Sequence, residues 1–186
     1  AFAQEAGVDV IVTDHHSLPD QLPDAYAIIH PEHPAGNYPF KDLAGCGVAF
    51  KLATALLEQV QPDLLDLVAI GTIADMVSLT DENRIMVQYG LSLLKQSERI
   101  GLQEMMRLAG LEANQVNEET VGFQLAPRLN ALGRLDDPNP AIELLTGFDE
   151  EEVAAIAAMI DEKNTERKDV VQAIYEEAKS LVQADK

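Results

Sequence analysis

Residues 8–19, VDVIVTDHHSLP, constrain this chain more than any other stretch. The apolar run Val10-Ile11-Val12 stops abruptly at Thr13-Asp14-His15-His16, and Ser17 offers a cap before Pro19. That is the grammar of a buried strand whose C-terminal end delivers polar side chains into a crevice. In open α/β sheets, ligands bind in the crevice outside the strand C-termini. One carboxylate followed by two imidazoles is metal-site chemistry, and this donor mixture suits Mn, Zn or Fe. Neighbouring side chains of an extended backbone point to opposite faces. Either the chain turns at Asp14-His15, or one of the two supports the site from behind the other. A solvated strand-end loop that happens to hold two histidines is the competing reading.

Asp75 is the second candidate. A helix is expected from Pro62-Asp63, with Asp63 as its N-cap, through Leu64, Leu65, Leu67, Val68 and Ile70 to Gly71-Thr72. It ends at Asp75, among Ile73, Ala74, Met76 and Val77. A carboxylate in such company is costly unless paired or metal-bound, which points to Asp75 as a ligand. An Asp that merely caps or turns the chain is the alternative. Further on, Arg128, Asn130 and Arg134 fall close together beside Gly133. Arginine grips phosphate in a planar, two-pronged way; salt bridges to Asp136 and Asp137 would be the ordinary use of these charges.

The remaining elements frame these residues. A second strand is expected at 25–29, followed by a Pro- and Gly-rich loop at 30–40 that cannot be regular structure. His30 and His33 sit in that loop, where Pro31 and Pro34 forbid a helix. A surface loop near the site is preferred over a metal-binding pair. Gly45-Cys46-Gly47 opens an amphipathic helix at about 47–60, and Cys46 reads as a small packing residue, since no base partner for a nucleophile is evident. Residues 83–97, 102–109 and 118–125 are helical by period. From Asp149 to about Ala184 the pattern is one long helix with a polar break at 161–169, which suits a linker between domains. The fold class is α/β, a parallel sheet with a helix-rich C-terminal half.

Charge bounds the function. The net charge of −19 is the wrong sign for a free-standing nucleic-acid binder. It is uneven: residues 1–83 hold 2 Lys/Arg against 13 Asp/Glu, whereas residues 84–134 hold 6 against 5. The acidic part suits metal capture, and the neutral part carries the arginines. One cysteine argues against a disulfide framework and fits a reducing cytoplasm. There is no apolar run of membrane-spanning length. The chain opens on Ala1, and AFAQEAG reads as a helix feeding the first strand, so a piece of a longer protein is expected.

TDHH after a hydrophobic strand resembles the signature of the DHH phosphoesterase superfamily. Residues 69–77, AIGTIADMV, are similar to its fourth motif, a Gly-Thr followed by a metal-binding Asp. APRLNALGR at 126–134, LAGCGVAFKL at 43–52 and the pair Asn164/Arg167 resemble the RecJ branch, exonucleases specific for single-stranded DNA. The resemblance implies hydrolysis of phosphodiester bonds with two metals, Mn²⁺ or Mg²⁺, acting 5′ to 3′ in DNA repair and recombination. It makes His15 and Asp75 metal ligands, Asp14 a supporting residue, and His16 an acid or charge stabiliser near the scissile phosphate. Arg128, Asn130 and Arg134 match phosphate or strand-end contacts.

The resemblance makes single-stranded DNA the partner and replication or repair proteins candidate ones; the setting expected is cytoplasmic, and the oligomeric state stays open with a monomer favoured. Residues 1–148 become the C-terminal part of the DHH domain, and 149–186 the helix leading to a DHH-associated domain. The superfamily's first two motifs lie upstream of DHH, so half of a two-metal site is expected here, with weak metal binding and little nuclease activity in isolation. Two alternatives stay open. One is a DHH phosphodiesterase acting on pyrophosphate, oligoribonucleotides or cyclic dinucleotides. The other is a non-catalytic scaffold module.

Overall fold

The computed structural model describes residues 2–135 and 137–184, the side chains at 134, 135, 183 and 184 excepted. The chain divides into two compact units, Ala1–Leu93 and Leu94–Lys186.

In the first unit, helix α1 (Phe2–Glu5) leads into strand β1 (Ile11–Thr13), which pairs in parallel with β2 (Ala27–Ile29). The register sets Ile11 beside Ala27, Val12 beside Ile28 and Thr13 beside Ile29. Parallel pairing requires a long crossover, and residues 14–26 make it without any helix. Two further bonds lengthen the ladder: Tyr26 N–H donates to the Val10 carbonyl at 2.9 Å, and Asp14 N–H to the Ile29 carbonyl at 3.2 Å. The expectation of a buried strand fails. Val8, Val10 and Ile11 are exposed, Ile11 by 56%. Helix α2 (Gly45–Leu57) is the element that packs on β1, so alternation along the strand leaves only Val12 partly covered.

Helix α3 (Leu65–Ala74) is entered through a 3₁₀ turn, Pro62–Leu64. Asp63 lies inside that turn, and the residue at the cap of α3 is Leu64, so Asp63 is not the cap. Proline pre-sets the tight turn, and the helix proper starts only after it. Helix α4 (Asp81–Leu94) follows. Leu43, Val48, Phe50, Val68 and Met86 form the core of this unit, with Ile29, Tyr38 and Phe40 packed against it. Two glycines set how closely its helices cross. A Cβ on Gly71 would stand 2.7 Å from Cys46 Sγ, and one on Gly90 would collide with the Leu65 carbonyl. Cys46 is therefore packed, as expected; burial pushes its thiol up, away from the reactive thiolate.

The second unit is all helical among its described residues. Helix α5 (Ile100–Ala109) ends on Gly110 at φ +67°. Helix α6 (Glu118–Thr120), capped by Asn117, runs through a π-helical turn at Val121–Leu125 into α7 (Ala126–Leu135). Pro127 thus falls directly after the π-helical turn inside one continuous helical run, where it offers no N–H to the turn before it. Helices α8 (Asn139–Thr146) and α9 (Glu150–Ala184) complete it. The Asp149 carboxylate accepts the Glu152 N–H at 2.9 Å and caps α9. Val153, Ala157, Ile160 and Asn164 are buried, and α5, α7 and α8 pack on this helix. The polar break at 161–169 does not interrupt it. From Lys168 to Val182 every side chain is exposed. Among the described residues no helix is long and apolar enough to cross a membrane.

Candidate metal centre

The Asp14–His16 stretch resolves the stereochemical conflict posed by an extended chain. Asp14 is the last residue held by β2, and the backbone turns immediately after it. Its carboxylate drives the turn: Oδ1 accepts the His15 N–H at 2.7 Å, the His16 N–H at 3.3 Å and the His16 Nδ1–H at 2.6 Å. Aspartate is suited to such local side-chain-to-backbone bonding. As a result, one donor atom from each of Asp14, His15 and His16 falls within 4.8 Å of the others. The two imidazole centroids lie 4.5 Å apart.

The electrostatics follow from those bonds. The His16 side chain, then the two backbone N–H groups, hold the Asp14 carboxyl down at about 2. Asp14 in turn raises His16 above the ordinary histidine value. His16 is therefore a base strengthened by a carboxylate at its Nδ1, with its side chain 77% exposed.

His15 is more enclosed and faces a different carboxylate. Its Nδ1 lies 3.5 Å from Asp75 Oδ2. Two helices create this meeting. The start of α2 backs the His15 ring, since a Cβ on Gly45 would stand 3.3 Å from His15 Cδ2. The close crossing of Cys46 and Gly71 then places the end of α3 beside it, and Asp75 is the residue that closes α3. The desolvation argument for Asp75 does not hold: its side chain is 35% exposed, and Met76, turned out at φ +64°, is 84% exposed. Proximity to His15, rather than an apolar setting, is what marks Asp75.

The arginine group behaves differently. Arg128 Nε donates to Asp161 Oδ1 at 2.8 Å, and its Nη1 to the Gln124 carbonyl at 2.6 Å, with its side chain 13% exposed. The partner in that bond is Asp161 rather than Asp137, and Asp136 lies outside the described residues. Asn130 is exposed, and two residues along a helix turn it by about 200° from Arg128. The Arg134 side chain lies outside the described residues. Arg167 Nη2 donates to the buried Asn164 Oδ1 at 3.2 Å.

His30 is the residue that sequence reasoning undervalued. It is buried, and its ring meets the backbone of His16 at 2.8 Å. No periodic signal marks it. Only the strand register, which sets Ile29 beside Thr13, carries the next residue to the turn. His33 bonds only its own loop, through the Ala35 N–H.

Residues 1–72 match the model of the DHH family, N-terminal domain. The chain is 52% identical over 181 residues, 97% of its length, to the single-stranded-DNA-specific exonuclease RecJ of Bacillus subtilis (strain 168). It is 39% identical over 195 residues to the protein of the same name from Escherichia coli (strain K12). The chain spans 23% and 34% of those two relatives. Among solved structures, exonuclease RecJ bound to manganese superposes with a TM-score of 0.82 at 33% identity, covering 95% of this chain and 45% of that one. RecJ of Thermus thermophilus in complex with Mn²⁺ gives 0.82 at 32% identity, covering 93% of this chain and 26% of that one.

Proposed function

We propose, for a chain homologous to RecJ over nearly its whole length and carrying the DHH-family N-terminal domain at residues 1–72, that it serves metal-dependent hydrolysis of phosphodiester bonds in single-stranded DNA. The observation that carries this reading is the convergence of Asp14, His15 and His16 on one turn with Asp75 3.5 Å from His15. His15 Nδ1 and the Asp75 carboxylate are a mixed nitrogen and oxygen pair that fits Mn²⁺, and the carboxylate suits Mg²⁺ as well. A divalent metal bound there would polarise a phosphoryl oxygen and lower the pKa of a water.

The chain's own residues take distinct parts. His15 and Asp75 hold the metal. Asp14 has its Oδ1 engaged by three donors, so it shapes the turn and holds His16. His16, exposed and made more basic by Asp14, keeps a proton to higher pH and offers it toward a phosphate or leaving oxygen from Nε2. Arg128, bonded to Asp161, anchors α7 on α9, while exposed Asn130 and its helix neighbour Arg134 meet the strand or its phosphates. The exposed stretch 168–182 supports a connecting role for the second half of α9. Action from the 5′ end, a place in repair and recombination, and a cytoplasmic setting belong to the same reading.

The test uses the full-length protein and three substrates: 5′-labelled single-stranded DNA, short RNA and pyrophosphate. Mn²⁺-dependent release of nucleotides from the DNA alone is expected, falling about a hundredfold in His15→Ala and Asp75→Ala. Preference for RNA or pyrophosphate, or full activity in both variants, would overturn the reading.

A further inference from the structure

We propose that His30 is the positioning residue that fixes the metal-bearing turn from outside it, and that it is not itself a ligand. His30 is 8% exposed, and both of its ring nitrogens are in use. Nε2 lies 2.8 Å from the His16 carbonyl oxygen, and Nδ1 accepts the Glu32 N–H at 3.0 Å. A carbonyl only accepts and a backbone N–H only donates, so the proton must sit on Nε2 and Nδ1 must be bare. One neutral tautomer satisfies both contacts. No lone pair is left for a metal: that of Nδ1 is taken by Glu32, and Nε2 carries the proton.

The geometry gives this a consequence. Ile29 and His30 are consecutive, and they grip the turn at two points. The Ile29 carbonyl accepts the Asp14 N–H at 3.2 Å, and His30 Nε2 donates to the His16 carbonyl at 2.8 Å. The two bonds bracket His15, the side chain that faces Asp75. Asp14 Oδ1 shapes the turn from within; His30 ties its far end to the strand beside it. Freed of that tie, the His16 peptide can rotate, and with it the direction in which His15 and His16 present their rings. A displacement of about 1 Å in such groups is enough to impair a site. The importance given to this turn rests on the metal-site reading above; the tie itself does not.

The experiment compares wild type, His30→Leu and His30→Gln in the full-length protein. Leucine keeps volume but makes neither bond. Glutamine carries a donor at the position of the ring Nε2. Hydrogen exchange across residues 11–19 should be at least tenfold faster in His30→Leu, within threefold of wild type in His30→Gln, and unchanged in α4. Mn²⁺ affinity should fall at least tenfold in the leucine variant and recover in the glutamine one, a rescue that loss of packing alone would not produce. Should the leucine variant fail to fold, ¹⁵N–¹H correlation of the wild-type histidine rings still decides, because it must show the proton of His30 on Nε2. A proton on Nδ1, or wild-type exchange in His30→Leu, overturns the inference. Faster exchange in the leucine variant without any Mn²⁺ binding by wild type would support the His30 tie and sink the proposed function alone.

Discussion

At the scale of single residues, one carboxylate organises the centre: Asp14 Oδ1 accepts the N–H groups of His15 and His16 and the His16 ring N–H. Asp14→Ala should therefore speed hydrogen exchange at His15 and His16, and unchanged exchange would show that the turn holds without it. Asp14, His15 and His16 announce themselves by type and adjacency, and the turn that unites them follows from what an aspartate carboxylate does to the next two N–H groups. Asp75 was found for a reason that fails, since its side chain is 35% exposed; what matters is a neighbour, His15, sixty residues away in sequence. His30 was passed over because a long-range strand register, invisible in local periodicity, decides its contacts. Arg128, expected at a phosphate or in an ordinary salt bridge, is bonded to Asp161 and to the Gln124 carbonyl. Arg128→Ala should therefore destabilise the second unit by about 1–3 kcal/mol, the cost of leaving such partners unmet. A double-mutant cycle with Asp161→Ala should give a coupling of at least ~0.5 kcal/mol in denaturant unfolding. Strict additivity would show that the pair contributes nothing.

At the scale of elements, helices with a local apolar stripe lie within a few residues of expectation, α4 and α5 beginning two residues ahead of 83 and 102, whereas α7 and α8, interrupted by Pro127, Gly133 and Pro140 and short of such a stripe, were not expected as helices. The strands were placed correctly but their burial was not, because cover depends on which elements lie on each face. Crossing distances were also out of reach, and they are what carry Asp75 to His15. Gly71→Ala would drive a methyl into Cys46 Sγ, 2.7 Å away, and should cost about 1–3 kcal/mol in urea unfolding while weakening metal binding. Unchanged stability would mean that the α2–α3 crossing is looser than it stands.

A second tie joins the 30–40 loop to helices α2 and α4. Tyr38 Oη–H and Lys51 Nζ–H both donate to Glu82, each at 2.5 Å. Burial alone would push the Glu82 carboxyl up, but the bonds from Lys51 and Tyr38 outweigh it and hold the group below 4.5. Burial would likewise lower Lys51, yet Glu82 keeps it above 10.5. A depressed carboxyl contributes stability that is present above its ordinary value and lost as pH falls through the folded one. A raised ammonium contributes below its ordinary value and loses it as pH rises past the folded one. The difference in Tm between wild type and Glu82→Gln should thus be flat from about pH 5 to 10 and shrink as the pH falls below the ordinary carboxylate range. A difference independent of pH would remove the ion pair from the account. The effect is small, since both groups are partly exposed.

At the scale of the whole molecule, charge and site agree. Residues 1–83, which carry Asp14 and Asp75, hold only 2 Lys/Arg against 13 Asp/Glu, so the potential there favours a cation. Fold class was legible from the alternation of short apolar runs and helical stripes. The division at Leu93/Leu94 was not, because no Gly- or Pro-rich linker marks it. We propose that His15 and Asp75, steadied by Asp14, hold a divalent metal. This claim is tested most directly by calorimetric titration of the full-length protein with Mn²⁺, alongside His15→Ala and Asp75→Ala. Saturable binding that each variant weakens by at least tenfold, with the fold intact, is the expected result. Binding of equal strength in wild type and both variants, or none in any, would contradict it.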